Sequence, residues 1–161
     1  MVADWEDRLA TTWASLDDSD DDEFVAAIDA LASDSTDQGV ADFERAAARD
    51  STGHSDLAVP LYRAALTHGL TGERRRRAAI QLASSLRNLG HADESVELLR
   101  AELERTSDAL DDAVKATLAL ALTDIGRERE AVSVAVGALA PHLPRYQRSM
   151  ANYARLLVEP E

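Results

Sequence analysis

The sequence predicts an all-α protein, a single domain built as an α-solenoid of about three helical hairpins with a helix pair before them and a capping helix after. Three observations predict it. Apolar residues make up 45% of the chain but aromatic ones only 4%, and the filler is mostly alanine and leucine, the strongest helix formers. Apolar residues recur at i, i+3, i+4 and i+7 in stretch after stretch, the period of an amphipathic helix. Glycines at 53, 90 and 126 stand 37 and 36 residues apart, each closing one such stretch shortly before the next begins.

Residues 1–36 read as the helix pair. Trp5, Leu9, Trp13 and Leu16 share one face over 4–16, and Phe24, Ile28 and Leu31 do so over 21–33. Asp20 with Glu23 three residues on reads as a capping box for the second of these helices. The acidic run from Asp17 to Glu23 reads as a linker plus first-turn acids, which the helix dipole favours. A sharper reading docks that run on arginines elsewhere in the chain.

Residues 37–142 read as three hairpins. Leu57, Ala58, Leu61, Tyr62 and Ala65 form the stripe after Gly53, Ser95, Val96, Leu99 and Leu103 the one after Gly90, and Ala131, Val132, Ala135 and Ala138 the one after Gly126. Ile80, Leu82, Ala83 and Leu86, and then Val114, Leu118, Ala119 and Leu122, make the helices before the second and third glycines amphipathic too. Neither helix of a pair buries its stripe alone, so the pairs must stack. Residues 143–161 read as the cap. Pro144 suits a first helical position, and Tyr146, Met150, Tyr153 and Leu157 make a face that seals the last hairpin while Arg145, Arg148 and Arg155 stay solvated.

Composition narrows the chemistry. A net charge of −13 repels phosphate, so neither nucleic acid nor an anionic membrane is an expected partner. No cysteine is present, which excludes disulfides and thiol catalysis. The first residues do not read as a signal peptide and no run of eighteen apolar residues occurs, so the expected compartment is the cytoplasm. There is no Gly-rich phosphate loop and no H-E-x-x-H or G-x-S-x-G. His54 and His91 each follow a turn glycine and read as polar turn residues rather than ligands. No catalytic residue, metal site or cofactor is therefore expected. The one basic run, Arg74 to Arg77, reads as an exposed first turn of the helix whose apolar positions begin at Ala78. Anion binding and an intramolecular salt-bridge network are its other readings.

Counting each unit so that its glycine is the fifteenth residue brings out a pattern. Positions seven, eight and eleven hold Leu82, Ala83 and Leu86 in the second unit and Leu118, Ala119 and Leu122 in the third. Positions twenty and twenty-four hold Ala58 and Tyr62, Ser95 and Leu99, and Ala131 and Ala135. With these residues the chain resembles the tetratricopeptide repeat family over 37–142, and in 59–62 and 81–90 it is similar to small bacterial "tetratrico peptide repeat" proteins. Arg45, Arg49 and Glu102 depart from the pattern, each standing where an apolar or small residue is usual.

The resemblance implies a right-handed solenoid that binds a peptide or protein partner in a concave groove lined by the first helix of each hairpin. In the first unit the groove positions fall on Val40, Phe43, Ala47, Asp50 and Ser51. The second unit offers Arg77, Ile80, Ser84, Arg87 and Asn88, and the third Ala113, Ala116, Leu120, Thr123 and Asp124. The row of Asp50, Arg87 and Asp124 at the glycine ends reads either as a structural ladder or as a site that reads a peptide. The expected function is a protein-interaction module. The alternative is a self-associating homodimer with a scaffold role.

Overall fold

A computed structural model describes residues 2–159. The described residues form helices and no strand: α1 (Val2–Ala14), α2 (Asp21–Ser33), α3 (Gln38–Ser51), α4 (Ser55–Thr67), α5 (Gly72–Asn88), α6 (Ala92–Arg105), α7 (Asp111–Asp124), α8 (Glu128–Leu139) and α9 (Gln147–Leu156). All-α hairpins turning on glycine are what the sequence predicts. The chain forms two compact units, with the boundary between Ser85 and Leu86 inside α5.

The three hairpin turns share one construction. Gly53, Gly90 and Gly126 adopt φ of 84°, 85° and 74°. The next residue donates its N–H five residues back, His54 to the Arg49 carbonyl, His91 to Leu86 and Arg127 to Leu122, at 2.8, 2.9 and 2.8 Å. This is the Schellman ending, which ties up carbonyls that the helix leaves unpaired. Nothing lies within 4 Å of where a Cβ would stand on any of the three, so the left-handed backbone rather than lack of room calls for glycine.

In the first unit, α1, α2 and α3 pack in sequence. Leu9, Phe24, Ile28, Leu31 and Ala48 make a core, with Trp13 set edge-on to Phe24 at 5.2 Å. Asp20 caps α2 by accepting from the Asp22 and Glu23 amides at 3.0 and 3.3 Å. The departures at 45 and 49 have a physical reason here. Arg49 forks onto Asp29 of α2 at 2.9 and 2.8 Å, and Arg45 donates to the Ser33 hydroxyl at 3.0 Å. Two long basic side chains thus hold α3 to α2 by polar contacts, Arg45 also lying 3.9 Å from Asp29, where the repeat usually has apolar packing.

Helix α3 is buried on most sides, and that burial includes Asp42 and Glu44. A buried carboxylate is tolerated only when paired and hydrogen-bonded. Glu44 accepts from Trp13 Nε1 at 2.9 Å and from Arg74 Nε at 3.1 Å. Arg74 also forks onto Glu6 at 3.0 and 2.6 Å and lies 5.9 Å from the Trp5 ring centre. Asp42 accepts from Gln38 Nε2 at 2.8 Å, and His68 Nδ1 stands 2.7 Å from its other oxygen. This corrects the reading of the arginine run as a solvated first turn. Arg76 is buried, Arg74 is half-buried, and the acids that hold Arg74 lie outside the acidic run.

In the second unit, α7 packs on both α6 and α8, and α8 on α9. Val96 and Leu99, Leu118 and Leu122, and Ala131 and Ala138 fill the interior. Glu102 is buried as well, 3.7 Å from Arg105. Asp112, at the start of α7, has its carboxyl held below the ordinary carboxylate range by its hydrogen bond with His142 and then by Lys115.

The cap differs from expectation in two ways. Helix α9 begins at Gln147, not Pro144, because Tyr146 sits in the left-handed region at φ 68° and no helix continues through such a residue. Gln147 Nε2 secures this turn by donating to the carbonyls of Pro141 and Leu143 at 3.0 and 2.8 Å. The aromatic face does not seal α8 either. The buried residue of α9 is Ala154, which meets the bare backbone at Gly137, while the Ser133 hydroxyl donates to the Ala154 carbonyl at 2.7 Å. Tyr146 and Tyr153 stay 73% and 61% exposed. Small residues allow the close approach of the two helices, and the rings are left outside.

Candidate functional site

The groove expected from the sequence divides between the units. In the first, Phe43 has no exposed surface. Arg77 lies over its ring at 5.2 Å and Tyr62 lies 6.3 Å away on the inner side of α4. Phe43 is therefore core and not groove lining, and Ala47 is buried with it. Asp50 is taken up by its own unit. It accepts from Ser85 at 2.7 Å, Ser55 at 3.2 Å and Tyr62 at 3.4 Å. Burial first, and then the Asp50 charge, pushes the Tyr62 hydroxyl well above the usual phenol range, so it stays a donor. Ser51 and Arg77 are exposed, and Ile80 and Ser84 are half-buried.

The second unit carries the open part. The sequence of α7 places Val114, Leu118, Ala121 and Leu122 inward, and these are buried. The opposite row, Ala113, Ala116, Leu120 and Thr123, is largely exposed, with Leu120 at 53%. The Thr123 hydroxyl is used within the helix, donating to the Ala119 carbonyl at 3.0 Å. What α7 offers solvent is an apolar strip of small residues around one large one.

At the glycine end of this strip, Arg87 Nε lies 2.5 Å from an Asp124 carboxylate oxygen. It is an ion pair and not an aligned hydrogen bond, since that nitrogen has no partner in hydrogen-bonding geometry. Asn88 and Leu89 beside it are exposed. Both partners of the pair keep about a third of their side chains in water, at 27% and 37%. Exposed pairs of this kind contribute about 0.2–1 kcal/mol. Arg87→Ala is therefore expected to shift a thermal melt only slightly, and a loss of several kcal/mol would mean that the pair is a structural ladder after all.

Helical hairpins repeated along the chain, with a row of mostly small residues exposed on α7, define a helical-repeat protein. A family model described as tetratrico peptide repeat matches residues 39–157, and the chain belongs to that family. The match runs through α9, beyond the hairpins that the spacing of glycines marks out. Repeats of this family are in general modules of protein–protein interaction and are typically non-catalytic. No curated protein and no solved structure matches the chain. Among the described residues no helix is long and apolar enough to cross a membrane.

Proposed function

We propose that the protein binds a peptide segment of a protein partner along the outward row of α7, between Ala113 and Thr123, with Arg87, Asn88 and Asp124 at its polar end. The observation that carries this reading is Leu120, a large apolar side chain half in water among alanines. Alanines let a second backbone approach closely, and a single half-exposed leucine gives it an anchor to bury, worth about half of the roughly 1.5–3 kcal/mol of burying a fully exposed one. The arginine–aspartate pair and Asn88 supply both donors and acceptors, which orient a peptide main chain or side chains.

The test compares two variants that add the same charge to an exposed position. Leu120→Glu places it in the strip, and Ala101→Glu places it on α6, where the residue is also exposed. The expected result of an affinity pull-down is loss of the partner with the first and parental recovery with the second, at parental melting temperatures. Equal recovery by both variants would remove the strip from consideration.

A further inference from the structure

The outward face of α9 is the least explained surface of the second unit. With Ala154 turned to α8, a helical step of about 100° per residue places Arg148, Arg155 and Asn152 on one half of the outward side and Leu156, Ser149 and Tyr153 on the other. Tyr153 and Leu156 are 61% and 48% exposed. Arg145, Arg148 and Arg155 are the only charges from Leu143 to Val158, so this stretch is positive in a chain of net charge −13. Arg148 is exposed and has no ion-pair partner among the described residues, while Arg155 is paired with Glu159.

The same chain carries the complementary surface. Asp17, Asp18, Asp20, Asp21, Asp22 and Glu23 are all exposed, and among the described residues no salt bridge neutralises any of them. Leu16 and Val25, half-buried, flank them and offer apolar surface. Arg148 and Arg155 stand two turns apart on α9, about 10 Å, a span comparable to that of a turn plus the first helical turn of α2.

We propose that α9 of one copy docks on the acidic run of a second copy, arginines on carboxylates and Tyr153 with Leu156 on Leu16 and Val25. The net charge opposes contact between copies through acidic surfaces, and this pairing brings opposite charges together. The two patches differ, so the contact is heterologous, setting the α9 face of one copy on the acidic run of another. It is small and salt-sensitive, in the class of weak associations. It does not depend on the α7 strip.

Light scattering on the full chain across a concentration series, at low and high salt, provides the measurement. At low salt the average mass is expected to rise with concentration above 17.4 kDa, and high salt to return it to 17.4 kDa. A chain with Arg148→Glu and Arg155→Glu, and another with Asp17→Lys, Asp18→Lys, Asp21→Lys and Asp22→Lys, which leaves the run with four lysines against two acids, should each remain monomeric alone and associate when mixed, since each supplies what the other has reversed. Circular dichroism on each variant checks that the fold is kept. A parent at 17.4 kDa at every concentration in low salt overturns the proposal and leaves the α9 face to an acidic helix of another protein or to this chain's own acidic run. Self-association by either reversed variant alone, at the parent's concentrations, overturns it as well.

Discussion

Tyr62→Ala is expected to lower the unfolding free energy of the first unit by about 3–5 kcal/mol, the cost of deleting a fully buried aromatic side chain. Tyr62 has no exposed surface, its ring packs toward Phe43, and its hydroxyl donates to Asp50 at 3.4 Å. The truncation opens a cavity between α3 and α4 and removes one of the three donors that Asp50 holds. Tyr62→Phe separates the two effects. It keeps the ring and loses only a long hydrogen bond, so the expected cost is about 0.5–1.5 kcal/mol. Trp5 and Trp13 are the only tryptophans and both belong to the first unit, so indole fluorescence during urea unfolding reports that unit alone. Equal midpoints for Tyr62→Ala and the parent would mean that α3 and α4 do not pack as described.

Glu44→Ala is the second large effect, about 3 kcal/mol, the low end of the range for breaking a buried charge pair. The side chain of Glu44 is 4% exposed and serves two donors from different helices, Trp13 Nε1 and Arg74 Nε. Its removal leaves a part-buried indole N–H without an acceptor. The loss stays at the low end because Arg74 keeps Glu6 and has 28% of its side chain in water. Glu6, 43% exposed, makes the second half of the same cluster, and Glu6→Ala should cost less than about 1 kcal/mol. The expected order is therefore Glu44 well above Glu6, again by indole fluorescence. The reverse order would show that the cluster is held from its solvent side.

The helices and their turns were legible because their cause is local. A glycine at positive φ followed by a polar residue and an apolar stripe is a signal contained within a dozen residues, and it recurs. The burial of Asp42 and Glu44 was not legible, because their partners His68, Trp13 and Arg74 lie 26, 31 and 30 residues away. Nothing near 42–44 announces them. Its position in the repeat puts Phe43 in the groove, but it lies in the core between Tyr62 and the still exposed Arg77, contacts from residues 19 and 34 positions on. Equivalent turns align Asp50, Arg87 and Asp124 in a row, but Asp50 is satisfied by Ser55, Tyr62 and Ser85, hydroxyls that carry no charge and so leave no mark in a charge pattern. At the C-terminal end the aromatic stripe outweighed Ala154. Helices that touch through small residues are hard to see in a pattern that rewards large ones.

The α7 strip is tested most directly by a photo-crosslinking amino acid placed at position 120 and, separately, at position 101. Both sites are exposed, so both probes sample what comes near the surface. A partner segment bound along α7 should be captured covalently from position 120 and not from position 101, with capture lost when excess untagged parent is added. Capture from position 101 alone, or equal capture from both positions, would contradict the assignment of α7 as the binding surface.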